Sequence, residues 1–199
     1  MTKKSSKEEI KCILVGESGA GKTSLINTSV GLNFNENVVT TISSTYVAKE
    51  YRISQKTYIL NLWDTTGQEK YRALTKIFMK DSKIVIFVYD ITNKKSFDEL
   101  EYWMKLIDEI LGNEPIIGIC GNKIDLFDYA KIKEENAAEF AKSKGAFFKE
   151  TSAKEDPLSF NQFLEFLLQV YLNKKNWNND NKRVKLSKKV FKKKIKECC

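Results

Sequence analysis

Ile10-Lys11-Cys12-Ile13-Leu14-Val15-Gly16-Glu17-Ser18-Gly19-Ala20-Gly21-Lys22-Thr23-Ser24-Leu25-Ile26 joins an apolar run, a glycine loop and a breaker-free helical stretch that continues to Val30. Strand, glycine loop and helix in that order form a phosphate cradle, because glycines let backbone N–H groups curl round an anion at the positive end of the helix. Gly16 to Thr23 fits G-x-x-x-x-G-K-[ST]. In that pattern Lys22 bridges the β and γ phosphates and the Thr23 hydroxyl ligates Mg²⁺. Ser18, Gly19, Ala20, Gly21 and Ser24 belong to the same nucleotide-binding loop. Alone, the motif specifies a phosphate binder and no particular base.

Working outward, Thr45 to Ile53 and Thr57 to Trp63 alternate apolar and polar residues across Ser54-Gln55-Lys56, which predicts an antiparallel hairpin. Ile84 to Tyr89 and Ile116 to Cys120 are continuous apolar runs, the mark of strands covered on both faces. Helical stretches are expected over Tyr71 to Lys80, Ser96 to Leu111, Lys131 to Ser143 and Pro157 to Leu172. The last opens on a first-turn proline and sets Leu158, Phe160, Phe163, Leu164, Leu167 and Leu168 on a broad apolar face. Strands alternating with helices imply an α/β fold of the P-loop NTPase type. Its sheet is mostly parallel and six-stranded, with one antiparallel edge strand and helices on both faces. Ligands on such sheets sit at the carboxyl ends of the strands, where the motifs converge.

Three further segments follow strands. Asp64-Thr65-Thr66-Gly67-Gln68-Glu69 places a carboxylate at a strand end, where Asp64 can hold the metal through water. Gly67 can give its N–H to the γ phosphate. Gln68 is the catalytic candidate, because an amide both donates to and accepts from a water and so aims it at phosphorus. In Asn122-Lys123-Ile124-Asp125, the two oxygens of Asp125 suit the N1–H and exocyclic amine of guanine, and adenine has no matching pair of donors. Asn122 and Lys123 brace that loop and cover the ring. In Thr151-Ser152-Ala153-Lys154 the Ala153 N–H is placed to meet guanine O6, and Ser152 and Lys154 complete the base site.

The chain has 199 residues, 42% of them hydrophobic, enough for one buried domain. The expected division is an extension over 1–9, a nucleotide-binding domain over 10–173 and a flexible polybasic tail over 174–199. The polar start Met1-Thr2-Lys3-Lys4-Ser5-Ser6 does not resemble a secretory signal, so synthesis in the cytosol is expected. Histidine is absent, which excludes Ser-His-Asp hydrolysis and imidazole zinc sites. Cys12 and Cys120 lie in apolar runs and read as small buried hydrophobes, whereas Cys198 and Cys199 end the sequence. The net charge of +8 is confined to the segment from Lys182, which holds nine basic residues and one acid; the preceding body sums to zero. A nucleic-acid-binding domain spreads its basic residues over a folded face, so none is expected as a partner.

The ordered set is similar to the Ras superfamily of small GTPases across Ile10 to Leu172. Leu62 to Leu74, Phe87-Val88-Tyr89-Asp90-Ile91-Thr92 and the Cys-Cys end resemble the Rab branch most. That resemblance implies a membrane-anchored switch that cycles between GDP and GTP with Mg²⁺ and recruits effectors in vesicle-mediated protein transport. It implies two switch segments, about 34–43 and 65–80, released when the γ phosphate is lost. It also assigns Phe34 to packing on the guanine and Thr41 to both Mg²⁺ and the γ phosphate. The implied partners are an exchange factor, a GTPase-activating protein, a GDP-dissociation inhibitor and effectors, with the chain itself a monomer. The implied location is the cytoplasmic face of intracellular membranes, with a cytosolic pool. None of the three arginines, Arg52, Arg72 and Arg183, lies in the first switch. Intrinsic turnover on the order of 10⁻⁴ to 10⁻³ s⁻¹ is therefore expected, raised by a partner that supplies the missing charge.

The sequence departs from the Rab pattern at Ile42-Ser43-Ser44-Thr45-Tyr46, where Ile-Gly-Val-Asp-Phe is usual, so no subgroup follows. Val38 stands where many relatives carry a tyrosine over the phosphates, and Thr66 where alanine is usual. The Thr66 hydroxyl is expected either to perturb hydrolysis or itself to accept phosphate. The paired cysteines resemble the Rab ending that is geranylgeranylated on both; two chains anchor stably, and each lysine nearby adds roughly 1 kcal/mol on an anionic surface. A merely solubilising tail or a nuclear signal leaves those cysteines unexplained. A metabolic P-loop kinase is the other enzyme reading, but it needs an arginine-rich lid and a second substrate pocket.

Overall fold

The computed structural model describes residues 7–36, 41, 45–66 and 72–196. Strand β1, Glu8–Val15, runs into the glycine loop and helix α1, Lys22–Ser29. Strands β2, Thr45–Ile53, and β3, Lys56–Asp64, form the hairpin. Ser54 and Gln55 alone separate the paired Ile53 and Lys56, and both have positive φ, 48° and 65°. A two-residue turn of that kind matches the right-handed twist of its strands.

Helix α2, Arg72–Met79, leads to β4, Ile84–Asp90, which is buried along its whole length. The stretch expected as one helix from Ser96 is two, α3, Lys94–Asp98, and α4, Leu100–Leu111, joined at Glu99. The Asn93 side chain accepts from the Lys95 N–H and so starts α3 two residues early. After β5, Ile116–Asn122, come a 3-10 turn over Ile124–Tyr129 and α5, Glu134–Ser143. Strand β6, Phe147–Thr151, and helix α6, Pro157–Lys196, complete the described elements.

The sheet order is β2-β3-β1-β4-β5-β6, with only the β2–β3 pair antiparallel. Neighbouring residues on a strand point to opposite faces, and both faces are apolar here. Leu14 and Ile86 join Phe163, Leu164 and Leu167 of α6 in one core. Ile13 and Val85 join Trp103 of α4 and Ala137 of α5 in the other.

Two of the boundaries that differ from the sequence reading lie at the ends of the folded domain. Strand β1 begins inside the 1–9 extension, because Glu8 and Glu9 pair with Tyr58 and Ile59. Helix α6 does not stop at Leu172, where a flexible linker is expected, but runs on to Lys196. No glycine or proline interrupts the chain between Leu158 and Lys196. The first turn past Leu172 is also tied down: Lys174 Nζ donates to the Asn113 and Glu114 carbonyls, and Lys175 pairs with Glu8. Among the described residues no helix is long and apolar enough to cross a membrane.

Candidate functional site

A cleft of about 400 Å³ opens at the carboxyl ends of β1, β3, β5 and β6. Its phosphate end is the glycine loop. Gly16 has φ 148° and Gly21 φ 93°, and a Cβ on them would come within 2.1 Å of the Val88 carbonyl oxygen and 2.2 Å of Asn122 Nδ2. Both positions therefore demand glycine for space as well as backbone conformation. Lys22 is buried, with Nζ donating to the Gly16 and Glu17 carbonyls at 2.9 Å each. Burial pulls its ammonium down to about 8, against the opposing pull of Asp64 and Glu17. A buried ammonium held on a glycine loop, with two of its three donors used on carbonyls, is complementary to a phosphate.

Beside it three oxygens converge. Thr23 Oγ1 donates to Asp64 Oδ2 at 2.7 Å and lies 2.8 Å from Thr41 Oγ1, which itself donates to Asp64 Oδ2 at 3.1 Å. The other Asp64 oxygen is buried and has no hydrogen-bond partner among the described residues. Burial raises the Asp64 carboxyl above its ordinary value despite the threonine hydroxyls and Lys22, which favour the anion. Two hydroxyls and an orphaned buried carboxylate oxygen are hard donors that suit Mg²⁺ and leave positions for water and phosphate.

The opposite end is built from β5 and β6. Asn122 Nδ2 donates to the Ala20 carbonyl at 2.9 Å, and its Oδ1 accepts from the Ala153 N–H at 3.3 Å and Thr151 Oγ1 at 3.4 Å. One buried amide thus ties the glycine loop to both base loops. Lys123, at φ 70°, pairs with Asp90 at 2.6 Å, and Asp90 also accepts from the Thr92 N–H and hydroxyl. The Ser152 hydroxyl holds Asp125 Oδ1 and accepts from the Lys154 and Glu155 N–H groups. Across the mouth, Lys154 pairs with Glu36 at 2.9 Å.

Of the residues singled out from the sequence, Ser18, Gly19, Gly21, Lys22, Thr23, Ser24, Phe34, Thr41, Asn122, Lys123, Asp125, Ala153 and Lys154 line this cleft. Ala20, Asp64 and Ser152 stand behind it and act through the hydrogen bonds above. Thr66 is buried and is not part of the lining; Thr65 is, with its hydroxyl donating to the Leu14 carbonyl at 2.6 Å. Gly67, Gln68, Val38, Ser43, Cys198 and Cys199 lie outside the described residues. The lining also includes Asn35, Glu36, Thr65 and Leu126, each within two residues of a singled-out residue but given no role of its own by the sequence.

A model of the Ras family matches residues 11–172, most of the chain and all of the cleft. The chain belongs to the Ras family. This Ras-family protein is 40% identical to the Ras-related protein Rab-21 of Canis lupus familiaris over 146 residues, 73% of this chain and 66% of that one. It is 34% identical to Rab11B of Nicotiana tabacum over 81% of this chain and 74% of that one. It is 32% identical to human Rab-22A over 96% of this chain and 98% of the relative. It spans just under two thirds of the length of the mammalian Rab-21 relatives. Guanine nucleotide with Mg²⁺ is the ligand pair of this family, and the donor set at the two ends of the cleft fits both.

Proposed function

We propose that the chain is a Rab-like GTPase that cycles between GDP and GTP forms, hydrolyses GTP to GDP and phosphate, and acts in vesicle trafficking. The observation that supports it is a single cleft with a cation and a glycine loop at one end and a buttressed carboxylate, Asp125, at the other. Lys22 holds the β and γ phosphates. Thr23, Thr41 and Asp64 hold the metal, which when bound neutralises phosphate charge. Thr41 belongs to the first switch segment, so loss of the γ phosphate removes one of its anchors. Gln68 orients the attacking water. With no arginine in the first switch the transition state lacks a built-in cation, so turnover is slow until a partner supplies one. Cys198 and Cys199 carry geranylgeranyl groups and fix the chain to the cytoplasmic face of a membrane, with the basic tail assisting. An exchange factor, an activating protein, a GDP-dissociation inhibitor and effectors act on the switch segments.

The base end provides the test. Purified chain with Mg²⁺ is expected to bind GDP and GTP far more tightly than ADP and ATP. Asn at 125 keeps the acceptor for Ser152 but presents an amide donor to the guanine amine. Asp125→Asn should therefore weaken guanine nucleotides by roughly 10- to 100-fold, the loss of one hydrogen bond to a charged group. It should also favour xanthine nucleotides, whose C2 carbonyl accepts. Equal binding of adenine nucleotides by the unaltered chain would sink the assignment. At the phosphate end, Gln68→Leu should leave GTP bound but unhydrolysed; unchanged single-turnover hydrolysis would remove Gln68 from its role.

A further inference from the structure

A second cleft, of about 480 Å³, lies at the amino-terminal ends of β5 and β6, the opposite end of the sheet from the nucleotide cleft, with which it shares no residue. Its volume falls in the ~300–1,000 Å³ range of small-molecule sites. Two features set its chemistry. The interior is apolar: Phe87 and Ile107 are buried, Met104 and Ile117 half-buried, and Phe147 forms a wall held edge-on by Phe166 at 5.0 Å. The rim is cationic, with Lys105, Lys144 and Lys174 against one acid, Asp108.

Two of those lysines are already engaged. Lys174 donates to the Asn113 and Glu114 carbonyls, and Lys144 pairs with the exposed Glu101 at 3.3 Å and lies over the Phe140 ring. Lys105 has no ion-pair or hydrogen-bond partner among the described residues. We infer that this cleft binds an anionic single-chain lipid, its acyl chain on the Phe87–Met104–Ile117 floor and its acid head at Lys105 and Lys144. A neutral hydrocarbon would leave the rim charges unused, and a free phosphate would face an apolar floor that offers it no donor. The inference rests on the lining of this cleft alone and is independent of the nucleotide reading.

The experiment is a titration of ¹⁵N-labelled, full-length, unlipidated chain with dodecanoate below its micelle concentration. Saturable shifts are expected in the amides of 104–112 and 145–147, with those of Gly19 and Asp125 unmoved. Dodecanol, with the same chain and no charge, should bind more weakly, and inorganic phosphate should give no shift. Lys105→Glu combined with Lys144→Glu should weaken dodecanoate by roughly fivefold or more, and Asp108→Lys should strengthen it by about two- to fivefold, as expected for partly solvated charges. All three positions are exposed, so the variants keep the core intact. The absence of saturable shifts would overturn the inference. So would dodecanol matching dodecanoate with the charge variants unchanged, or phosphate alone reproducing the shifts.

Discussion

Lys22 shows how the cleft sets the response of this protein to pH. Burial pulls its ammonium from 10.5 to about 8, whereas the unfolded chain keeps the proton to its ordinary value. Below pH 8 the folded, nucleotide-free protein therefore carries a buried charge that opposes folding. Between about 8 and 10.5 it releases a proton that the unfolded chain still holds, so this contribution to stability improves as pH rises. Phosphate binding needs the charged form. Nucleotide affinity is expected to be level below pH 8 and to fall above it, by up to about tenfold per pH unit. Fluorescence titration with GDP from about pH 6.5 to 9.5 checks this, and a flat profile would show that Lys22 does not titrate in the empty cleft. The role of Lys22 is legible in the sequence because a glycine loop before a helix has few other uses. Glu36 was not legible, because an exposed glutamate carries no signal until the fold brings Lys154 opposite it.

At the scale of elements, α6 is the clamp on one face of the sheet. Leu167 is fully buried, and a Cβ placed on Gly118 would lie 2.8 Å from its Cδ1, so the helix rests directly on the β5 backbone. Leu167→Ala removes that contact and leaves a cavity that strands on the far side cannot collapse to fill. A loss of about 3 kcal/mol is expected. For a domain of this size that lowers the melting temperature by roughly 6–12 °C, read by thermal unfolding with GDP present. A shift below about 2 °C would place Leu167 outside the core. The apolar face of α6 is visible in the sequence because its spacing repeats over several turns. Its end is not, because the Lys/Asn-rich stretch has neither a glycine nor a proline to close the helix. Strand β6 is implied by the six-stranded sheet and by the motif that starts at Thr151, but its bounds are not legible: five residues at the sheet edge, two of them exposed, give too short a pattern to separate from a loop. The hairpin was the clearest element, since alternation on both sides of a polar break admits one register.

At the scale of the molecule, charge and fold are separated along the chain. The body through Asn181 has no net charge, and the segment from Lys182 carries all of the excess. With α6 continuous to Lys196, the 24 residues from Asn173 rise by about 36 Å, less than half the roughly 80 Å of an extended strand. The helix leaves from the pole where Lys174 and Lys175 are tied down, at the amino ends of β5 and β1, so the nucleotide cleft lies at the other pole. A membrane that holds the tail thus leaves the cleft and its loops open to partners. At roughly 1 kcal/mol per basic residue near an anionic surface, the tail alone should bind phosphatidylserine vesicles before any lipid is attached. Unlipidated chain is expected to sediment with such vesicles at about 0.1 M salt and to be released at about 1 M, where the screening length falls from about 10 to 3 Å. A chain ending at Asn181 should stay in the supernatant at both salt concentrations while keeping its nucleotide. Sedimentation of that shortened chain would move the membrane-binding surface from the tail to the folded body.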